Sequence, residues 1–283
     1  MRILIVGNGA REHAFAKSLV ASGAKISAYM SHPNPGILAL ADTVHYGRYQ
    51  ELTGIEKFKN VDFAVIGSEK AINSGAADAL AASEIPVVAP VMAATKIETS
   101  KIFARDLLDR HHIKGNPEFR VINNLDEFKS AQKDFRRLVI KPDGFTEGMG
   151  VRISGIQLSG PEEELAYATE LLSEEGRFLV DEFLEGEEFT IHAFCDGPRI
   201  ELTPVIHDYR TNRIRHSLGS VSSPDQKWPG INENDIEHAR LIVRNAFRAM
   251  FQDHGLMYQG FLNGQFIKTD SGVFMLEFNC RLG

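Results

Sequence analysis

Two glycine-rich stretches of the sequence have the composition of phosphate-binding loops. Residues 7–13 (GNGAREH) follow an apolar run and open a helical pattern, where glycine lets backbone N–H groups approach an anion. Residues 143–150 (DGFTEGMG) follow Lys141, whose ammonium can pair with a phosphate. Glu12 interrupts a full dinucleotide fingerprint in the first loop, so a phosphate-bearing metabolite is the better interpretation. Either stretch could also be an ordinary tight turn.

Carboxylates and an amide near two strand ends could bind a nucleotide and a metal ion. Residues 181–188 (DEFLEGEE) are rich in acidic side chains, which could accept hydrogen bonds from a ribose hydroxyl or an adenine amine. Glu277 and Asn279 are two residues apart on a predicted strand, so they face one side and offer the oxygen ligands that Mg²⁺ prefers. Arg281 continues that face and could hold a phosphate or a carboxylate. The alternatives are a solvated charge run and a polar edge strand.

Strand-like and helix-like segments alternate in residues 1–90, which predicts a doubly wound parallel sheet. The predicted strands are 3–6, 25–30, 62–66 and 86–89, and the predicted helices are 10–22 and 76–83. Ligands of such sheets bind beyond the carboxyl ends of the strands. These ends are residues 7–11, 32–36 and 67–75.

The rest of the chain contains more strands and predicts an α+β region with an antiparallel sheet. Residues 91–115 are expected to be helical. The further predicted strands are 119–122, 138–141, 151–153, 178–183, 187–195, 200–206, 260–268 and 273–278, with helices at 125–135 and 235–254.

Composition narrows the class of protein. A net charge of −7 over 283 residues argues against a general nucleic-acid binder. No run of about 18 apolar residues is present to span a membrane. Cys195 and Cys280 lie far apart, which fits a reducing compartment, so we expect a cytoplasmic protein. No convincing Ser-His-Asp or Cys-His spacing points to a protein nucleophile.

The order of the motifs resembles the phosphoribosylamine–glycine ligase family of the ATP-grasp superfamily. The similar stretches are 7–14 (GNGAREHA), 33–36 (PNPG), 67–69 (GSE) with Gly75 and Asp78, 98–101 (ETSK), 140–144 (IKPDG), 148–151 (GMGV), 181–188 and 276–281 (LEFNCR). The resemblance runs from residue 1 to 283. It implies a mixed α/β and α+β fold, in which a doubly wound parallel sheet (the pre-ATP-grasp domain, 1–93) precedes an ATP-grasp region (94–283). That region would comprise a subdomain of about 118–186 with the glycine-rich loop and a metal-site subdomain, 187–283.

The activity that the resemblance implies is an ATP-dependent ligation in purine biosynthesis. Glycine would be activated as an acyl phosphate and attacked by 5-phosphoribosylamine, giving glycinamide ribonucleotide, ADP and phosphate. ATP and Mg²⁺ (or Mn²⁺) are implied, with small-molecule substrates and a monomer or homodimer. Neither nucleic acid nor membrane is expected as a partner.

The resemblance also assigns roles to individual residues. Lys141 and Arg281 would be catalytic, and Glu277 and Asn279 would bind the metal. The implied nucleotide-binding set is Lys101, Lys141, Asp143, Gly144, Gly148, Gly150, Asp181, Glu182, Phe183, Leu184 and Glu188. Within this set the two lysines would hold phosphates, Asp181 and the backbone of 182–184 would contact adenine, and Glu188 would bind ribose. The implied phosphoribosylamine set is Gly9, Arg11, Asn34, Gly36, Glu69 and Gly75.

Three departures from the family pattern affect what we expect. Residues 216–224 replace a glycine-rich segment that helps form the carboxylate-substrate site, and Met149 stands where the family usually has lysine. Family members also continue beyond Gly283, so we expect a truncated fragment whose activity on its own stays open. The alternatives are another ATP-grasp ligase acting on a different acid, a nucleotide- or metabolite-binding relative without activity, and a dinucleotide-dependent oxidoreductase.

Overall fold

The computed structural model describes residues 1–144, 150–210, 217–223 and 228–283. Gly148 and Met149 lie outside these residues, as do His216 and Pro224 at the ends of the altered segment. Within the described ranges, no helix combines the length and the apolar character needed to cross a bilayer.

The N-terminal part is a parallel sheet with strand order β3-β2-β1-β4-β5. Its strands are β1 (Arg2–Val6), β2 (Lys25–Met30), β3 (Ala41–Tyr46), β4 (Phe63–Ile66) and β5 (Val87–Val88). Its helices are α1 (Ala10–Ala21), α2 (Pro35–Leu38), α3 (Glu69–Asn73) and α4 (Ala76–Ala82). The predicted doubly wound parallel sheet is confirmed. Strand β3 was not predicted, because it is an edge strand without buried residues.

The segment that follows holds two helices where the sequence predicted continuous helix. They are α5 (Lys96–Thr99) and α6 (Lys101–Arg110). Ser100 separates them with an extended backbone (φ −125°, ψ 108°), and its hydroxyl accepts a hydrogen bond from the Phe103 N–H. The prediction of helix through 91–115 is therefore wrong at Ser100, where a new helix starts with its own cap.

A second, antiparallel sheet has the strand order β6-β9-β7-β8. Its elements are β6 (Phe119–Ile122), α7 (Leu125–Asp134), β7 (Leu138–Pro142), β8 (Arg152–Ile153), α8 (Pro161–Glu175) and β9 (Phe178–Glu182). One face, including Ile140 and Val180, shares a core with both helices, so alternate residues face the other side. Helix α8 was not predicted, although Pro161 followed by three glutamates is a usual helix start.

A third, antiparallel sheet has the order β13-β12-β10-β14-β15, with β11 also paired to β10. Its elements are β10 (Glu187–Gly197), β11 (Ile200–Leu202), β12 (Ile206–Arg210), β13 (Ser217–Ser222), α9 (Glu233–His254), β14 (Tyr258–Thr269) and β15 (Gly272–Asn279). The single strand predicted over 200–206 ends at Leu202, and Pro204, which lacks an N–H donor, lies in the break. Residues of this sheet, α9 and the parallel sheet share one hydrophobic core.

Candidate active site

The three sheets meet around a cleft of about 1100 Å³. The carboxyl end of the parallel sheet supplies residues 8–12 and 68–70 to its wall. Helices α5 and α6 supply Glu98, Lys101 and Arg105. The remaining wall is the open face of the second sheet and strands β10, β14 and β15 of the third. The cleft therefore joins both halves of the chain.

A buried ion cluster lies at the base of the cleft. Asp181 on β9 accepts hydrogen bonds from Arg105 Nε at 3.2 Å and Nη2 at 2.7 Å, and its Oδ2 is 2.7 Å from Lys141 Nζ. Burial opposes the charged carboxylate, but the two cations outweigh it and hold the pKa of Asp181 below its ordinary value. The carboxylate is thus occupied by protein cations, which differs from the adenine contact expected of Asp181.

Arg105 also holds the backbone of β15. Its Nη1 donates to the Met275 carbonyl and its Nη2 to the Leu276 carbonyl, both at 3.0 Å. Leu276 is the extra residue of a β-bulge, because Gln265 pairs with Glu277 whereas Phe266 pairs with Met275. The guanidinium therefore fixes the point at which the side-chain alternation of β15 changes.

The bulge turns three polar side chains towards the cleft, two on β15 and one just after its end. Val273 and Met275 are buried before it, and Phe278 and Cys280 are buried after it. Glu277, Asn279 and Arg281 consequently line the cleft. The Arg281 Nη2 lies 3.4 Å from the Asn279 Oδ1.

The oxygens of Glu277 and Asn279 are suitable ligands for Mg²⁺. The described ranges contain no group of three or more His, Cys, Asp or Glu side chains that could hold a metal alone. A magnesium ion here would take its other ligands from nucleotide phosphates and water, as Mg²⁺ commonly does. The residues present fit such a shared site.

Lys101 and the residues after β7 form the side of the cleft next to Lys141. Lys101 Nζ donates to the Gly144 carbonyl at 2.9 Å, and burial lowers the pKa of this lysine. Asp143, expected at the nucleotide, instead accepts hydrogen bonds from Ser100 Oγ and the Ile102 N–H at the start of α6. Asp143 and Gly150 are outside the cleft lining, whereas Lys101, Lys141 and Gly144 belong to it.

The end of β9, the segment after it and the start of β10 form an apolar slot with a polar rim. Glu182, Phe183, Leu184 and Glu188 all line it, as the sequence analysis expected of a nucleotide site. The N–H groups of Glu182 and Phe183 already donate to the carbonyls of Glu118 and Arg137. In residues 182–184, the groups that remain open to an adenine edge are therefore the carbonyl oxygens and the Leu184 N–H.

Apolar side chains from two sheets face each other across this slot. They are Val139, Ile153 and Leu179 on the second sheet and Ile267 on the third. A flat ring such as adenine could lie between them and exclude water. Gln265 Nε2 donates to Glu188 Oε2 at 3.0 Å and holds that carboxylate at the rim.

The expected sugar-phosphate residues divide into two groups. Gly9, Arg11 and Glu69 line the cleft. Arg11 Nη1 donates to the Gly67 carbonyl at 2.7 Å, which joins the ends of β1 and β4. Burial lowers the pKa of the Arg11 guanidinium.

The other three expected residues lie outside the lining and have structural roles. Asn34 caps α2 through its Oδ1, which accepts from the Gly36 and Ile37 N–H groups. A Cβ on Gly36 would lie 2.5 Å from the His13 ring. Gly75 begins α4 in a left-handed conformation (φ +81°), which a side chain would strain. Asn34, Gly36 and Gly75 thus shape the domain and do not line the cleft.

Charged groups from both halves of the chain meet where the sugar-phosphate end joins the rest of the cleft. Arg281 Nε donates to Glu69 Oε1. Glu98 on α5 accepts a hydrogen bond from the Cys280 N–H at 2.8 Å. Burial, together with the nearby Glu69 and Glu277 charges, raises the pKa of Glu98 to about 7.

Replacing Glu98 with glutamine is expected to stabilise the protein in a pH-dependent manner. The folded-state pKa of Glu98 is about 7, whereas its ordinary value is 4.5. The stability that protonated Glu98 contributes is therefore fully present below about pH 4.5. That stability is lost as the pH rises through 7, whereas glutamine stays neutral and keeps an acceptor for the Cys280 N–H. The free energy of unfolding of Glu98→Gln should exceed that of the unmodified chain by about 1–3 kcal/mol at pH 8. Urea titrations at pH 5 and pH 8 measure the difference.

The control is Glu187→Gln, at an exposed glutamate on β10. This substitution should change the free energy of unfolding by the same small amount at pH 5 and at pH 8. If the effect of Glu98→Gln were the same at pH 5 and pH 8, Glu98 would not be the titrating group.

Several cleft residues were absent from the sequence-based set. They are Asn8, Glu98, Arg105, Gln265 and the apolar side chains of the slot. Arg105 follows Lys101 by four positions, so the two share one face of α6, a spacing that could have identified it. Asn8 lies in the first glycine-rich loop and Glu98 in the 98–101 motif, so their place in these motifs could have identified them. Gln265 and the apolar side chains become cleft residues only through contacts between segments distant in sequence.

Comparisons with known proteins cover the whole chain. The family model described as "Phosphoribosylglycinamide synthetase, N domain" matches residues 1–98. The model "Phosphoribosylglycinamide synthetase, ATP-grasp (A) domain" matches residues 99–283. A phosphoribosylamine–glycine ligase of Thermococcus gammatolerans is 37% identical over 294 residues, which cover 100% of this chain and 67% of the relative.

Solved structures are similar as well. The crystal structure of phosphoribosylamine–glycine ligase from Thermotoga maritima superposes with a TM-score of 0.78 at 25% identity, covering 100% of this chain and 69% of that one. The biotin carboxylase domain of Hydrogenobacter thermophilus 2-oxoglutarate carboxylase, in complex with MgADP and bicarbonate, has a TM-score of 0.78 at 14% identity. The match covers 100% of this chain and 64% of that structure and shows a shared fold.

Proposed function

The chain belongs to the phosphoribosylglycinamide synthetase family, and from that premise we propose that it is an ATP-dependent ligase joining glycine to 5-phosphoribosylamine. The products are glycinamide ribonucleotide, ADP and phosphate, in purine biosynthesis. The reaction proceeds through glycyl phosphate, which the amine of the sugar phosphate attacks.

The observation that carries this function is the convergence of two kinds of group in one cleft. Lys101, Lys141, Glu277 and Asn279 form a region for a metal-bound triphosphate beside an apolar slot. Residues 8–12, at the carboxyl end of the parallel sheet, form a separate end suited to a sugar phosphate. Both ends open into the same cleft, so an acyl phosphate formed at one could be attacked from the other.

The chemistry needs charge neutralisation and positioning. The glycine carboxylate attacks the γ-phosphorus, the bond from that phosphorus to ADP breaks, and glycyl phosphate forms. Lys101 and Lys141 place positive charge beside the transferring group and reduce repulsion between two anions. The amine then attacks the carbonyl carbon, the carbon–oxygen bond to phosphate breaks, and the amine loses a proton as phosphate leaves.

We propose Glu277 and Asn279 as the magnesium ligands. When bound there, Mg²⁺ would neutralise charge on the nucleotide phosphates. Arg281 lies beside Asn279 and is proposed to hold the glycine carboxylate or the acyl phosphate. Its ion pair with Glu69 connects this position to the sugar-phosphate end.

We also propose the division of the chain into a substrate domain, 1–93, and an ATP-grasp region, 94–283. The parallel sheet and α1–α4 lie within the first range, and the two antiparallel sheets lie within the second. The second would hold the subdomain of about 118–186 and the metal-site subdomain, 187–283. Helices α5 and α6 follow the boundary and supply cleft residues between the two parts.

Replacing Arg11 with methionine is expected to weaken binding of the sugar phosphate and to spare ATP. The guanidinium lies beside the first loop, and one charged hydrogen bond contributes about 1.5–3 kcal/mol. The KM for 5-phosphoribosylamine should therefore rise roughly 10–100-fold, while the KM for ATP changes less than about twofold. Steady-state kinetics with each substrate varied in turn measure both constants. A fall in ATP affinity instead would contradict the proposed division of the cleft.

An omission series tests the function directly. Release of ADP and formation of glycinamide ribonucleotide are measured with ATP, Mg²⁺, glycine and 5-phosphoribosylamine, and then with each left out. Equal amounts of both products only in the complete mixture would support the proposal. Turnover with a different small acid and none with glycine would assign the chain to another ATP-grasp ligation.

A further inference from the structure

Asn8 stands at the sugar-phosphate end of the cleft with its side-chain carbonyl already occupied. Tyr49 Oη donates to Asn8 Oδ1 at 2.5 Å, and Ser31 Oγ lies 3.0 Å from the same oxygen. An amide oxygen can only accept hydrogen bonds, and this one already accepts from Tyr49. Any further hydrogen bond from this side chain must come from its nitrogen.

The direction of these hydrogen bonds follows from the surrounding donors. The Ser31 backbone N–H points to Tyr49 Oη at 3.3 Å, and a backbone N–H can only donate. The phenol oxygen is therefore an acceptor towards Ser31, and its own proton is left for Asn8 Oδ1. Tyr49 is buried, so water does not compete for that proton.

The backbone of Asn8 is held as firmly as its side chain. Asn34 Nδ2 donates to the Asn8 carbonyl at 3.0 Å, and Asn34 itself is fixed as the cap of α2. Asn8 Nδ2 has no hydrogen-bond partner among the described residues, and Asn8 lines the cleft. The two N–H groups of that nitrogen are consequently available to a bound molecule.

The Gly9 N–H and one nitrogen of the Arg11 guanidinium, both in the first loop, are already committed to the protein. The Gly9 N–H donates to Glu12 Oε2 at 2.5 Å, and Arg11 Nη1 donates to the Gly67 carbonyl. Asn8 therefore adds a neutral, oriented donor beside the Arg11 cation, a combination suited to a phosphate oxygen.

We propose that Asn8 is a specificity residue that donates from Nδ2 to the phosphate of the sugar substrate, and that Tyr49 and Ser31 are positioning residues that orient it. This inference rests on the proposed function, because it assigns an additional donor to the same substrate end. Tyr49 acts on the ligand only through Asn8, from a loop that lies outside the sequence motifs of the site.

The test measures binding of ribose 5-phosphate by calorimetry to the unmodified chain, Tyr49→Phe, Asn8→Ala and the double variant. Loss of one such neutral hydrogen bond weakens binding by roughly 2–10-fold. Tyr49→Phe and Asn8→Ala should each weaken binding to about this extent, and the double variant should be no weaker than Asn8→Ala alone. Asn8→Asp should weaken binding by at least about 10-fold, because a carboxylate repels phosphate.

Tyr29→Phe is the matched control. Tyr29 is a second buried tyrosine of the same core, with its ring centroid 6.4 Å from that of Tyr49, and its hydroxyl donates to the Arg48 carbonyl at 3.2 Å. It should leave ribose 5-phosphate binding unchanged. Equal losses in Tyr29→Phe and Tyr49→Phe, or additive losses in the double variant, would reduce Tyr49 to a structural role and overturn the proposal. Unweakened binding to Asn8→Asp would show that no phosphate is contacted there and would also overturn it.

The unmodified chain separates this outcome from failure of the proposed function. If it neither binds ribose 5-phosphate nor turns over 5-phosphoribosylamine, the proposed function fails and the inference fails with it. If it does both, and the variants behave like the control, only the role of Asn8 and Tyr49 is wrong.

Discussion

Replacing Glu277 with glutamine is expected to lower kcat on the order of 10²–10³-fold, the usual loss when one group stabilising transition-state charge is removed. Glu277 enters the cleft only because of the bulge at Leu276, and its carboxylate is the anionic member of the proposed magnesium pair. Glutamine keeps the shape and one oxygen but removes the charge. The Mg²⁺ concentration needed for half-maximal turnover should therefore rise, while the thermal midpoint of unfolding stays nearly unchanged.

Two measurements make the Glu277→Gln prediction specific. Calorimetric titration with ATP should show weaker binding in the presence of Mg²⁺ and little change in its absence. Glu187→Gln, at the exposed glutamate on β10, is the control and should alter neither quantity. Unchanged Mg²⁺ dependence in Glu277→Gln would exclude Glu277 from the metal site.

Replacing Arg105 with methionine is expected to lower the free energy of unfolding by about 3–5 kcal/mol, the cost of breaking a buried ion pair. The Arg105 and Asp181 side chains are each only 3% exposed. Methionine fills the space but leaves the Asp181 charge with Lys141 alone. It also removes the Arg105 donors from the carbonyls of Met275 and Leu276, and the Leu276 carbonyl keeps only the longer contact of 3.4 Å from Lys141 Nζ. Those carbonyls belong to the bulge, so ATP affinity should fall together with stability.

Arg110→Met is the matched control for Arg105. Arg110 lies on the same helix and pairs with Asp253 at 2.7 Å, but its side chain is 52% exposed. Exposed pairs contribute less than about 1 kcal/mol, so this variant should be nearly as stable as the unmodified chain. Urea titrations of both variants measure the two free energies of unfolding. Equal, small losses would mean that the buried cluster does not hold the cleft together.

The parallel sheet could be predicted from the sequence because its signal is local. β1, β2 and β4 are apolar runs that end in glycine or polar residues, and each is found within a residue of its predicted bounds. β3 was not predicted, because an edge strand with little burial needs no apolar pattern. In that case, pairing with β2 determines the structure more than the strand's own sequence does.

The helix break at Ser100 shows why other features could not be predicted. Asp143, 43 positions further along, bonds both the Ser100 hydroxyl and the Ile102 N–H and so starts a new helix there. The family resemblance assigns the same residue to the nucleotide site, although Asp143 lies outside the cleft lining. The break in the predicted helix at Ser100 therefore depends on a contact between distant segments, which the local sequence does not show.

For the site, spacing correctly placed Glu277 and Asn279 on one face, but it could not show that this face is the cleft. That depends on the bulge at Leu276, which Arg105 holds from another helix. Lys101, Lys141 and residues 182–184 were recognisable by their motifs and do line the cleft. Asn34, Gly36 and Gly75 share such motifs, yet they shape turns and caps nearby.

The proposed function requires the cleft to activate a carboxylate as an acyl phosphate before an amine attacks it. Glycine carrying ¹⁸O in both carboxylate positions tests this directly, with the released phosphate analysed by mass spectrometry. We expect one ¹⁸O atom in each inorganic phosphate formed, because the carboxylate oxygen that attacks the γ-phosphorus leaves with it. Formation of glycinamide ribonucleotide with unlabelled phosphate, or ADP release without any amide product, would contradict the claim.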